Sequence, residues 1–292
     1  MTDLHLDAYS HPLCLYHDDP DGCCAAAIVR RAVGPRTKTH ALEIGDPIPW
    51  DKVEQSDIVI LVDYSLPVVD MRKLQTSGGF IWVDHHKSAL EELGSAMADV
   101  PGARSLEAAA CELTWRTFFP NQELPRAVAL IGDRDIWRMA LADTRTFGEG
   151  VYQEDMDPAN DALWGPLLDD DRTMVSELTG RGRLLYQARL SGIVDRVERY
   201  GFDATFEGYR TRVVNDRGSG DMGEYIRQQG YELGYCYVEA VRDGELLTIV
   251  TVYSDTIDVS EIARKHGGGG HKGAAGFQFK RLDRPFPAGT EG

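Results

Sequence analysis

The chain has 292 residues, 42% of them apolar and 27% charged, enough apolar mass for one large or two ordinary domains without a disulfide scaffold. Its 31 basic against 47 acidic residues leave a net charge of −16, which opposes the counterion release that binds long DNA or RNA. The longest purely aliphatic run, residues 58–62, is far too short for a membrane span, and the first dozen residues lack the basic-then-apolar order of a secretory signal, so a cytoplasmic protein is expected.

The front of the chain alternates short β-rich runs with helical patterns, the habit of a parallel sheet covered by helices on both faces. Residues 13–16 predict a first strand. It runs into Asp19-Pro20-Asp21-Gly22 and then into a helix over 23–33, for which Asp21 is the candidate cap. Further strands are expected at 39–44, 58–63 and 80–84, each ending in polar residues, and such strand ends are where open α/β sheets place ligands. Apolar spacing predicts helices over 105–119 and 124–132, the second leading into Asp133. Residues 152–171, rich in Asp, Pro and Asn, read as a loop or irregular insertion, and 172–200 as one long connecting helix. Beyond Gly201 the runs 205–214, 233–242 and 245–253 are β-like, with helices at 220–229 and 259–266. The expected fold class is α/β: a doubly wound, mainly parallel N-terminal domain over 1–175, a helical linker over 176–202, a smaller mixed α/β domain over 203–282 and a tail over 283–292. Most of the negative charge lies in front, since residues 1–202 hold 20 basic and 33 acidic side chains.

Five cysteines, Cys14, Cys23, Cys24, Cys111 and Cys236, contain no C-x-x-C pair and read as buried small hydrophobes. The chemistry lies elsewhere. His17, Asp18, Asp19 and Asp21 crowd an imidazole and three carboxylates directly after an apolar strand, a grouping that raises carboxylate pKa values unless a cation sits among them. Alone, that segment is as well explained by a capped, solvated turn. Asp84-His85-His86 ends another strand, Asp63 ends a third, and Asp133 follows the apolar run 127–131. Oxygen and nitrogen ligands converging from four element ends suit manganese, iron or zinc, and together they suggest two divalent ions about 3.5–4 Å apart. Near the C-terminus, Gly267 to Gly270 precede His271. Glycines there would let backbone N–H groups approach an anion, and the apolar pattern resuming at Ala274 argues for a tight packed turn rather than a linker.

In this order and spacing, His17-Asp18-Asp19-Pro20-Asp21-Gly22, Val62-Asp63, Asp84-His85-His86 and Gly132-Asp133-Arg134-Asp135 resemble the four motifs of the DHH phosphoesterase superfamily. Gly268-Gly269-Gly270-His271 with Ala274-Ala275-Gly276 resembles the substrate-binding motif of the DHH-associated domain of RecJ-like exonucleases and nanoRNase-type oligoribonucleases, so the likeness spans roughly residues 13–280. The resemblance implies two manganese ions held by Asp19, Asp21, Asp63, His85 and Asp133, with Asp63 bridging. It implies His86 as catalytic partner, Asp84 orienting an imidazole, and Gly268, Gly269, Gly270 and His271 holding a phosphate or terminal nucleotide. His17 joins the metal ligands, although several branches of the superfamily carry their histidine where Leu15 stands here. Asp135 competes with Asp133, because Asp-Arg-Asp replaces the Asp-Thr-Gly of many relatives, and Arg134 is a candidate phosphate contact.

The implied activity is manganese-dependent hydrolysis of short oligonucleotides or linear dinucleotides to nucleoside 5′-monophosphates by a metal-activated water. The alternatives are action on a 3′,5′-bisphosphate nucleotide, a cyclic nucleotide or polyphosphate, and an inactive nucleotide-binding regulator. The expected partner is a short nucleotide substrate, with no stable grip on long nucleic acid, no membrane contact, and a homodimer through the long helix left open.

Overall fold

A computed structural model describes residues 9–280 except Ile44 and Asp243. The end of the strand expected at 39–44, the tail over 283–292 and residues 1–8 therefore lie outside the described residues. These residues divide into two compact units, one ending at Tyr186 and one beginning at Gln187.

The first unit opens with β1 (Pro12–His17), α1 (Pro20–Val33), β2 (Lys38–Leu42), α2 (Trp50–Glu54), β3 (Ile58–Val62), α3 (Val68–Ser77), β4 (Gly79–Val83) and α4 (Lys87–Leu93). The helices α5 (Ala110–Phe118), α6 (Arg126–Asp135), α7 (Thr144–Val151) and α8 (Asp161–Leu168) follow, and then the long helix α9 (Arg172–Tyr200). The four strands form one all-parallel sheet in the order β2-β1-β3-β4. Side chains alternate strictly across it. Cys14, Tyr16, Ile60, Val62 and Val83 join one core with residues of α1 and α5, while Leu13, Leu15, Leu61 and Trp82 join another with Met71 and Leu74 of α3. Both faces are thus covered, and all five residues of β3 are buried, which is why that strand reads as an unbroken apolar run. Each such side chain contributes about 1.5–3 kcal/mol by leaving water. From β1 the chain moves to β2 on one side, and the sheet grows through β3 on the other, so the C-terminal ends of β1 and β3 flank the switch point where open α/β sheets hold ligands.

Four local expectations change. The cap of α1 is Asp19 rather than Asp21: its side chain accepts from the Gly22 N–H, and Pro20 occupies the first turn. The helix expected from residue 105 begins only at Ala110, and the next one runs on through Asp133 to Asp135. Part of the segment read as a loop is α8, whose Leu163, Trp164, Leu167 and Leu168 are buried among the apolar residues of the first core. The short helices α2, α3, α4 and α7 had not been anticipated.

In the second unit, β5 (Phe202–Phe206) and β6 (Tyr209–Asn215) form a hairpin where one run was expected. After α10 (Gly220–Gln228) come β7 (Leu233–Arg242), β8 (Glu245–Tyr253), α11 (Val259–Lys265), β9 (Gly269–Gly270) and β10 (Ala274–Lys280). The sheet order is β5-β6-β7-β8-β10-β9, mixed because β6 and β7 pair in parallel while the other pairs are antiparallel. Helix α9 is continuous as expected: its Val175 and Leu178 belong to a core of the first unit, and its Ile193 and Val197 to a core of the second.

Candidate active site

Three strand ends and one helix build the site. β1 ends at His17, and the chain turns so tightly into α1 that a Cβ on Gly22 would run into the His17 carbonyl oxygen. Only glycine fits there. One residue earlier, the buried Asp21 carboxylate accepts from the N–H groups of Ala110 (2.7 Å) and Cys111 (2.8 Å), tying α1 to the N-terminus of α5 where backbone donors are otherwise unpaired. Asp63 follows β3 with a left-handed φ of 55°, a conformation aspartate tolerates better than most residues, and its N–H donates to the Val83 carbonyl at 2.9 Å. β4 delivers Asp84, His85 and His86, and α6 ends at Asp135.

These side chains converge. His17 Nδ1 lies 3.0 Å from Asp19 Oδ2 and 3.7 Å from Asp63 Oδ2. His85 Nε2 lies 3.1 Å from Asp63 Oδ1, 3.3 Å from Asp135 Oδ2 and 3.7 Å from Asp21 Oδ2. His86 Nδ1 is 3.9 Å from Asp63 Oδ1. Three sets of ligand atoms are close enough to hold a metal ion: His17, Asp19 and Asp63; Asp63, His85 and His86; and Asp21, His85 and Asp135. Asp63 and His85 each belong to two sets. Asp63 Oδ2 is buried with no hydrogen bond, its charged neighbour His17 Nδ1 standing off at 3.7 Å, and a cation between such groups would satisfy it. Carboxylate and imidazole donors in this arrangement fit divalent ions such as manganese or magnesium better than a thiol-seeking metal.

The electrostatics carry the same mark. The Asp19 carboxylate, with Asp63 behind it, pushes His17 protonation up to about 10. Hydrogen bonding to Asp84 pushes His86 up to about 9. Burial works against charge on His85, yet Asp63 and Asp135 outweigh it and raise its pKa. Loss of solvent, then the Asp63 charge, raise Asp135 to about 7, and the same two causes push Asp21 well above the usual carboxylate range. Burial also opposes ionisation of Asp19 and Asp84, but the neighbouring imidazoles of His17 and His86 reverse the balance and lower both.

Asp84 stands behind the cluster. Its Oδ1 accepts from the N–H groups of His85 (2.7 Å) and His86 (3.1 Å) and from His86 Nδ1 (2.8 Å), and Oδ2 accepts from the Ser65 hydroxyl. It therefore fixes the ring of His86.

Asp133, which the resemblance offers as a ligand, is not among the metal-competent groups. Because α6 continues past it, its carboxylate turns to the following loop and accepts from Ala140 N–H (3.1 Å), Leu141 N–H (3.0 Å) and the Thr144 hydroxyl, with Arg138 Nε 3.5 Å away. Asp135, two residues on, is a member of one of those groups. Ser65 and Arg138 had not been singled out from sequence; neither type carries a motif signal. In the second unit Gly269 and Gly270 form β9, which pairs antiparallel with β10 through Gly276 and Ala275, so the glycine run is a tight packed turn with His271 exposed at its tip. There the His271 N–H donates to the Ala274 carbonyl at 2.8 Å.

An α/β unit with a parallel sheet and an Asp/His cluster at its switch point, followed by a mixed-sheet unit, defines a class of two-unit α/β folds. No family model matches the chain. A protein of Acanthamoeba polyphaga mimivirus, described as uncharacterized protein R106, is 30% identical over 252 residues; the match takes in 81% of this chain, which spans 56% of that relative's length. Among solved structures, the pGpG-specific phosphodiesterase PggH of Vibrio cholerae aligns with a TM-score of 0.51 at 14% identity over 93% of this chain and 94% of that one. The DHH domain of a protein described as a member of the s1p family of ribosomal proteins aligns with a TM-score of 0.54 at 16% identity over 92% of this chain and 82% of that one. The chain has the DHH-domain fold of the superfamily its motifs resemble. No helix among the described residues is long and apolar enough to cross a membrane.

Proposed function

We propose that the chain is a divalent-metal-dependent phosphodiesterase that hydrolyses short oligonucleotides or linear dinucleotides to nucleoside 5′-monophosphates. Asp63 carries this reading: a buried carboxylate at the switch point, shared by two metal-competent groups and with one oxygen that no hydrogen bond satisfies. His17, Asp19 and Asp63 would hold one ion, and Asp21, Asp63, His85 and Asp135 the other. Bound there, divalent ions supply charge neutralisation on the phosphoryl group and an acidified water. His86 commits Nδ1 to Asp84, which leaves Nε2 as the nitrogen that would give a proton to the leaving oxygen. Gly268, Gly269, Gly270 and His271 would grip a phosphate through backbone N–H groups and an imidazole.

Two facts favour a short substrate. The net charge of −16 repels long polyanions, and the Vibrio cholerae protein of the same fold is named for a linear dinucleotide. The test is Mn2+-dependent hydrolysis of a panel holding pApA, a five-nucleotide RNA, long single-stranded DNA, 3′-phosphoadenosine-5′-phosphate and a cyclic nucleotide. Turnover of the first two to 5′-monophosphates is expected. Turnover of the bisphosphate or cyclic compound alone would overturn the substrate reading, and inertness with Mn2+, Co2+ and Mg2+ the enzymatic one.

A further inference from the structure

Beside the metal-competent cluster lies a small concavity of about 60 Å3 that is not fully enclosed, so a larger ligand lodges there in part and extends outward. Its wall includes Asp19, Asp21 and Asp135 of the cluster, so whatever enters it sits against the site. The rest of the wall differs in character: Pro20, Ile131 and Val151 are apolar, and Arg134 and Tyr152 bring a guanidinium and an aromatic ring. An acidic centre built for cations has no need of these.

Arg134 is deliberately seated. Its Nη2 donates to Glu149 at 3.2 Å, its Nη1 reaches the Arg145 carbonyl at 3.4 Å, and its guanidinium lies over the Tyr152 ring with 5.2 Å to the centroid. A Cβ on Gly148 would come within 2.7 Å of Arg134 Nη1 and 2.8 Å of its Cδ, so α7 makes room for this side chain by carrying glycine there. Three residues of one short segment, Gly148, Glu149 and Tyr152, thus serve the placing of Arg134. Its charge is already matched by Glu149, which argues against a role as the main phosphate clamp. What remains free to act is planar chemistry: the ring of Tyr152, 45% exposed for so large an apolar side chain, and guanidinium N–H donors at its edge.

We propose that this concavity is a nucleoside subsite, in which the base of the substrate stacks on Tyr152 and Arg134 donates to the base edge. It rests on the reading of the site as acting on nucleotides, and deepens it by assigning the base to the first unit. A base is the ligand group that suits an apolar floor, an aromatic wall and in-plane donors, and seating it there carries the attached phosphate toward Asp19, Asp21 and Asp135.

The test is equilibrium binding of 5′-AMP and of ribose 5-phosphate to the full chain with Mn2+, followed by calorimetry, because the two ligands share the phosphate and differ in the base. AMP should bind about 5- to 150-fold more tightly, the span of base–aromatic stacking. Tyr152→Ala should bring the ratio close to one, and Tyr152→Phe, which keeps the ring, should preserve it while serving as a control for folding. A ratio near one in the unaltered chain, or one that survives Tyr152→Ala, overturns the subsite. A chain that hydrolyses no phosphodiester but shows the Tyr152-dependent ratio keeps the subsite and loses the proposed activity; a chain that cleaves pApA with no such ratio loses the subsite alone.

Discussion

Asp133 and Asp135, two residues apart on α6, are assigned opposite work, and separating them is the sharpest test of the site. The Asp133 side chain is 2% exposed and accepts two backbone N–H groups and a hydroxyl beside Arg138. Asp133→Ala strands those donors and leaves Arg138 with Glu112 as its remaining carboxylate. Removing one member of a buried charged network costs about 3–5 kcal/mol. At about 2–4 °C per kcal/mol for a unit of this size, the melting transition of the first unit falls by about 6–20 °C. Asp135→Asn should do the reverse. Burial and Asp63 raise the Asp135 pKa to about 7, so its charge works against folding once the pH passes the unfolded carboxylate value, and the penalty is complete above about 7. In ion-free protein at pH 8 the asparagine variant therefore melts no lower than the parent. Its Mn2+ affinity should fall by about tenfold or more, a loss of at least about 1.4 kcal/mol. Scanning calorimetry in chelator and titration calorimetry with Mn2+ read the two quantities separately. If Asp133→Ala abolished Mn2+ binding at an unchanged melting temperature while Asp135→Asn bound normally, the assignment would be reversed.

Asp63→Asn should slow Mn2+-dependent hydrolysis at least about 100-fold, about 2.7 kcal/mol in the barrier, with an unaltered circular dichroism spectrum; undiminished turnover would remove Asp63 from the centre of the site. In ion-free protein, Asp84→Asn should bring the His86 titration from about 9 toward the ordinary value near 6.5, followed by NMR of the imidazole protons, and an unmoved titration would deny the Asp84 contact its role. Because the folded pKa of His86 is the raised one, the stability it adds is complete below about 6.5 and lost as the pH climbs through about 9, and the variant should lack that dependence. Gly22→Ala forces a Cβ against the His17 carbonyl and should cost about 1–3 kcal/mol or more together with Mn2+ affinity; a melting temperature equal to the parent's would show that the turn yields freely.

Much of this architecture can be read from the residues, and the exceptions have physical reasons. β3 and β4 are evident because a strand buried on both faces must be apolar at every position, and α9 because twenty-nine residues pass without a proline. The convergence of Asp19, Asp63 and Asp84-His85-His86 is legible because each follows directly on such a strand. Helix α3 escapes notice since it buries only Met71 and Leu74, too few to impose a period. The difference between Asp133 and Asp135 turns on a boundary: α6 was expected to stop at residue 132, and a helix extended by three residues carries Asp133 to a different face from the one facing His85. Tyr152 was passed over as part of a polar loop, since one aromatic residue beside Asp and Asn gives no sign of the guanidinium against it.

The crowding at the switch point also explains how such a site folds before any ion arrives. Asp19, Asp21, Asp63, Asp84 and Asp135 bring five carboxylates around two imidazoles that hold protons to about 10 and about 9 and a third whose pKa is raised. Protons on His17 and His86 thus supply, in the ion-free protein, positive charge that divalent ions would supply when bound. Where burial and the Asp63 charge outweigh the neighbouring imidazole, the carboxylates themselves take a proton up, which is what the raised pKa values of Asp21 and Asp135 express. Loading the site must then release protons, so affinity rises with pH through the range where these groups titrate. Asp133 lies outside this exchange because backbone N–H groups and the Thr144 hydroxyl already satisfy its charge, and it is lowered rather than raised. Within one Asp-Arg-Asp triplet, the fold has already satisfied the charge of one carboxylate and leaves the other in want of a cation, which is why we propose Asp135 and not Asp133 as the ligand.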